Sequence, residues 1–265
     1  MQAETARVAP ITLLSAANKV PFVTLAFWTI KILATTVGET GADYLAVHAG
    51  LGSAVTGGIM SVLLLMALTW QVRAPRYVPW VYWLTVVLLS VVGTQVTDAL
   101  TDGLGVSLYI STAVFATLLG ALFASWFLVE HTLSIETIVT RRREFFYWGA
   151  IFLTFALGTA AGDLATEELA LGFRIGVLAF AALIAAIAIA WRVGADTVLC
   201  FWLAYILTRP LGASLGDLLS QSRSYGGLGW GTVITSVSFL AVIAVLVLRL
   251  SLHGQQSARH YQPGD

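Results

Sequence analysis

Three charged side chains, Lys31, Glu39 and Arg209, stand inside long apolar runs where a charge costs about 2.5–3.5 kcal/mol to insert. Residues carried at that cost normally face a bundle interior or a wet cavity, where they bind, gate or relay protons. Four aspartates, Asp43, Asp98, Asp163 and Asp217, lie near the ends of similar runs. Together with Glu39 they make a candidate metal set, because carboxylate oxygens suit hard ions such as Mg²⁺, Ca²⁺ or Mn²⁺. Lys31 and Arg209 supply the opposite charge, suited to a gate or to an anionic group.

The spacing of these residues is repetitive. An aromatic pair, Phe or Tyr followed by Trp, precedes a Gly ten residues after the Trp and an Asp fifteen after it. The copies are Phe27-Trp28 with Gly38 and Asp43, Tyr82-Trp83 with Gly93 and Asp98, Tyr147-Trp148 with Gly158 and Asp163, and Phe201-Trp202 with Gly212 and Asp217. A Leu-Gly pair then opens a second helix in each copy: Leu51-Gly52, Leu104-Gly105, Leu171-Gly172 and Leu228-Gly229. At helical periodicity Trp28, Lys31, Thr35, Gly38, Glu39 and Asp43 share one face about 140° wide. The matching faces carry Ser90, Gly93, Thr94 and Asp98, then Gly158, Thr159 and Asp163, then Tyr205, Arg209, Gly212 and Asp217. Trp28, Trp83, Trp148, Trp202 and the four glycines read as structural marks of the repeat. The aspartates either cap the turn into the following helix or line an acidic vestibule. Lys31, Glu39 and Arg209 break the repeat, which the fold alone does not require. Lys31 and Glu39 are two turns apart, about 12 Å, so each needs a partner from another repeat. Pro210 after Arg209 removes a backbone donor and predicts a broken, charged helix.

The elements that must position these residues are transmembrane helices. Hydrophobic residues make up 58% of the 265 and charged residues only 11%, too few to cover a soluble surface. Runs of about 20 apolar residues give eight spans, near 21–42, 50–71, 79–98, 104–128, 145–163, 171–191, 197–216 and 228–249. The fold class is therefore all-α, a single polytopic membrane domain over 1–265 with parallel two-helix repeats near 20–73, 75–129, 141–192 and 195–250. Arg7, Lys19, Arg73, Arg76, Arg141, Arg142, Arg143, Arg192, Arg249 and Arg259 flank one side, and only Arg174 and Arg223 the other. That bias puts both termini in the cytoplasm and the aspartates at the outer edge. Most tryptophans fall toward the cytoplasmic side, as an interfacial belt would.

The segments Asn18-Lys19-Val20-Pro21, Phe27 to Thr40 and Leu207-Thr208-Arg209-Pro210-Leu211-Gly212 resemble the most typical stretches of a family of bacterial integral membrane proteins with four tandem two-span repeats and a prominent Trp. The resemblance spans nearly the whole chain. It implies the repeat architecture and a bacterial inner membrane, but no activity.

Several classes are disfavoured. Net charge is zero, so there is no footprint for nucleic acid. Cys200 is the only cysteine, and His48, His131, His253 and His260 fall in loops or the tail, unsuited to paired haem ligation. No nucleotide, hydrolase or metalloprotease motif stands in context, so an enzyme is not expected and no cofactor is implied. Two functions stay open. One is a secondary transporter or channel for a small cation, divalent metals included, with the bilayer as its environment. The other is a non-transporting scaffold or sensor subunit that acts with a partner protein. A continuous wet path past Glu39 favours the first, and a sealed polar cluster the second.

Overall fold

Each apolar run forms an α-helix, the conformation that satisfies backbone groups internally where no water can reach them. The computed structural model describes residues 18–47 and 52–260, so Arg7, His48 and Leu51 lie outside it. Among the described residues there are eight α-helices and no strand: α1 (Leu25–Val47), α2 (Ser53–Arg73), α3 (Pro79–Asp98), α4 (Leu108–Glu130), α5 (Arg141–Asp163), α6 (Gly172–Arg192), α7 (Thr197–Ser220) and α8 (Thr232–His260). Seven are long and apolar enough to cross a membrane. The eighth, α1, carries Lys31, Glu39 and Asp43 in its 23 residues and lies between α3 and α7. The protein is a polytopic helical membrane protein.

The first helices of the four repeats form a closed inner ring, in which α1 packs on α3, α3 on α5, α5 on α7 and α7 on α1. Each second helix docks mainly on the first helix of the next repeat: α2 on α3, α4 on α5, α6 on α7, and α8 back on α1. Burial follows this division. Over half of each inner span α3, α5 and α7 is buried (56%, 61% and 67%), against 17%, 17%, 6% and 17% for the outer helices α2, α4, α6 and α8. The outer ring therefore meets lipid and the inner ring meets protein.

The repeat residues act as the joints of this ring. A side chain at Gly38 would place its Cβ 2.5 Å from Cβ of Ser90 in the next repeat. The same clash occurs at Gly93 with Phe155 (2.8 Å), at Gly158 with Arg209 (2.5 Å) and at Gly212 with Thr35 (2.6 Å). Thr35, Ser90, Phe155 and Arg209 each follow their own repeat Trp by seven residues, so one notch-and-knob contact recurs four times around the axis. The aromatic pairs interlock in the same sense. Phe27 meets Trp83 at 5.5 Å, Tyr82 meets Trp148 at 5.4 Å, Tyr147 meets Trp202 at 6.3 Å and Phe201 meets Trp28 at 5.7 Å between ring centroids.

This aromatic layer corrects the reading of the tryptophans as an interfacial belt. Trp83, Trp126, Trp148 and Trp202 are buried, and Trp28 is half-buried; Trp70, Trp80, Trp191 and Trp230 are exposed. The Leu-Gly pairs also act differently from the expectation. Gly52, Gly105, Gly172 and Gly229 all have positive φ (79°, 68°, 69° and 79°), so they make the turn at or just before the second helix. Only glycine adopts this backbone freely.

The tryptophan end is closed by segments outside the ring. Asn18 bonds the backbone of Ile135 and Ile138 through its side-chain amide. The Lys19 ammonium donates to the Glu144 carboxylate at 2.7 Å and to the carbonyl of Val72 at 3.0 Å. Ile135 and Ile138 are buried, so the long linker between the second and third repeats lies under the bundle as a lid.

Candidate functional site

Because the inner ring is cyclic, residues at equal distance from their repeat Trp come together in layers on its axis. At the tryptophan end the Tyr82 and Tyr147 hydroxyls share a hydrogen bond of 2.5 Å, beside Phe27 and Phe201. One turn further, Lys31 is 1% exposed, and its ammonium lies over the rings of Phe155 (4.0 Å) and Tyr205 (4.2 Å). Neither Lys31 Nζ nor the Tyr205 hydroxyl has a hydrogen-bond partner among the described residues. An ammonium on aromatic faces is held by the ring quadrupoles, worth about 2 kcal/mol when desolvated.

The next layers meet at Arg209, which is fully buried. Its guanidinium donates to the Glu39 carboxylate at 2.8 Å and to the Thr35 carbonyl at 2.8 Å, both on α1. It also donates to Thr94 Oγ1 on α3, and to Thr159 Oγ1 on α5 at 3.1 Å and 2.8 Å. One side chain of α7 thus ties all four inner helices together. Glu39, Thr94 and Thr159 occupy the same register, eleven residues after their Trp. The symmetric layer therefore holds one carboxylate and two hydroxyls, facing the single guanidinium. Arg is suited to this by its planar fork of donors. The side chain passes over Gly158, where any larger residue would meet its Cβ and Cγ.

Pro210 does not break the helix, contrary to the expectation from sequence. Helix α7 runs through it from Thr197 to Ser220, and Gly158 and Gly162 on α5 make room for the ring. Beyond Arg209 stand the four aspartates, one per inner helix, with Asp217 buried and Asp43, Asp98 and Asp163 half-buried. Asp98 and Asp163 do not act as caps through their side chains. Helices α3 and α5 continue past Asp98 and Asp163 into wide π-turns, Ala99–Gly103 and Leu164–Glu168, with no side-chain cap bond from either residue. One oxygen of Asp43 is buried without a partner among the described residues.

The sequence offers Glu39, Asp43, Asp98, Asp163 and Asp217 as a candidate metal set. Among the described residues no three His, Cys, Asp or Glu side chains converge closely enough to hold one metal ion. Glu39 is engaged by Arg209, and the aspartates are distributed around the ring. The partners of Lys31 are aromatic rings, with no carboxylate in contact among the described residues. Phe155, the lid and the buried Lys19–Glu144 pair carried no recognisable mark in sequence, although Asn18-Lys19 belongs to a segment singled out by resemblance.

Fold and axis together define a class: a membrane protein built as a cyclic ring of four tandem two-helix repeats, with a charged lock on its axis. The chain belongs to the family described as Repeat of Unknown Function (DUF347), whose model matches residues 26–77, 81–132, 146–194 and 200–254. Each match begins two residues before a repeat Trp. No curated protein and no solved structure matches the chain.

Proposed function

We propose that this chain is a secondary transporter or channel-like protein for a small cation in a bacterial inner membrane, with the tryptophan end and both termini in the cytoplasm. The observation that carries this reading is the axial stack. A ring of one aspartate per inner helix lies above a single Glu39–Arg209 pair bonded to every inner helix. The aspartates would gather cations at the outer face. With no chelating cluster among the described residues, an ion there would keep most of its water and be selected by charge. A cation or proton reaching Glu39 competes with the guanidinium for the same carboxylate. Releasing Arg209 would remove the tie between α7 and the other three inner helices at once, the event needed to open a path. The arrangement described here is the closed state of that cycle.

The test is flux into proteoliposomes under imposed K⁺, Mg²⁺, Mn²⁺ and proton gradients, for wild type, Glu39→Gln and Arg209→Gln. Wild type is expected to move one of these cations. Glu39→Gln, which removes the carboxylate the cation must reach, should lose at least about tenfold in rate. Arg209→Gln, which removes the lock, should leak without coupling to the gradient of a second ion. Absence of any flux under all gradients would sink the reading.

One observation favours the alternative, a scaffold or sensor acting with a partner protein. Arg209, Thr94 and Thr159 are fully buried and Glu39 nearly so, a sealed polar cluster. On that reading the same variants lower stability and partner assembly, and cells lacking the protein show no single-ion phenotype.

A further inference from the structure

The aspartate end is acidic, yet two arginines stand there, Arg174 in the first turn of α6 and Arg223 in the turn that follows α7, from the third and fourth repeats. They are far apart in sequence, but both line one open groove of about 650 Å³, together with Phe173, Tyr225, Gly226 and Leu228. Neither arginine makes an ion pair or a side-chain hydrogen bond among the described residues. Both guanidiniums thus keep their donors free of the described residues, in a recess whose volume admits a polar headgroup. The groove sits where α6 leaves the bilayer, and α6 is the least buried of the spans considered, at 6%. Lipid must therefore reach the edge of this recess.

We propose that this groove is a binding site for the phosphate headgroup of an anionic lipid, held by Arg174 and Arg223 with Tyr225 alongside. The planar fork of arginine matches phosphate oxygens in pairs, and two arginines lining one recess favour a phosphodiester over a neutral headgroup. Arg and Tyr are also the side chains suited to the boundary between chains and headgroups, where one end is apolar and the other wet. The acidic vestibule on the axis repels anions, so the groove is the place at this end where one is welcome. The site is separate from the axis and does not depend on transport.

The experiment is native mass spectrometry of the full-length protein in detergent, titrated with phosphatidylglycerol or with diacylglycerol of the same chains. Wild type is expected to retain one phosphatidylglycerol and to bind diacylglycerol much less. Arg174→Gln/Arg223→Gln should weaken retention by about tenfold for each arginine lost. Arg174→Lys/Arg223→Lys should recover part of it, since charge remains without the fork. Equal retention by wild type and the glutamine double variant would overturn the proposal. Displacement of the lipid by inorganic phosphate at matching concentration would also overturn it, assigning the groove to a soluble anion.

Discussion

At the scale of single residues, the charged members of the axial cluster are legible in the sequence, but their pairing is not. Lys31, Glu39 and Arg209 stand out because a fourfold repeat supplies its own control: at each register three copies show what the fold accepts without charge. The same alignment placed Thr94 and Thr159 on the axial face. What it could not supply was geometry across helices. Phe155 looks like any apolar residue of a span, so the aromatic cradle of Lys31 was hidden, and Lys19 looked like an ordinary cytoplasmic flank. The energetics of the lock lead to a specific expectation. Glu39→Leu leaves the buried Arg209 charge unpaired, at a cost of about 3–5 kcal/mol. Glu39→Leu/Arg209→Met removes both charges and should recover most of that loss, because an apolar pair of similar volume needs no desolvation. Unfolding of the detergent-solubilised protein in a double-mutant cycle measures this. If the double variant is as unstable as Glu39→Leu, the hydroxyls and carbonyl around Arg209, rather than the pair itself, hold the ring.

At the scale of elements, the number and order of helices followed from apolar length, and the turns leading into the second helices from glycine. The docking of each second helix onto the following repeat did not. In a parallel repeat the two candidate neighbours offer equivalent faces, so periodicity cannot choose between them. The positive-φ glycines do allow the local rule to be tested without touching the core. Gly105 at φ 68° has open space around its missing side chain, so Gly105→Ala meets no clash and should cost only the backbone strain, about 1–2 kcal/mol. Gly120 lies inside α4, also with open space, and there Gly120→Ala should stabilise by about 0.5–1 kcal/mol. Thermal melting of the two variants against wild type should give shifts of opposite sign. Shifts of the same sign would mean that the turn at Gly105 relaxes into a conformation open to any residue.

At the scale of the whole molecule, the ring must close, and closure makes four tandem copies a single body with one axis. Four parallel repeats could equally pair into two halves, and the sequence is silent on this because nothing in one repeat encodes the count of copies around an axis. The structure closes the ring by contacts between the ends of the chain that include α8 on α1, Phe201 on Trp28, Gly212 against Thr35, and Arg209 on Glu39. A hydrogen bond between α1 and α8 gives the means to test it. Thr40 Oγ1 on α1 and Ser236 Oγ on α8 lie 2.7 Å apart, a separation that lets two cysteines at these positions approach disulfide geometry with small adjustment. Cys200 is the only native cysteine, so Cys200→Ser provides a background free of competing thiols. In that background Thr40→Cys/Ser236→Cys should cross-link in the membrane under mild oxidation, and reducing-agent-sensitive mobility on a denaturing gel reports the bond. Each single-cysteine control should stay unlinked within the chain. A protein arranged as two separate halves would leave the first and last helices apart and form no such bond. Formation of the bond makes the axial site a property of the closed ring, because Arg209 near one end of the chain reaches Glu39 near the other only when the ends meet.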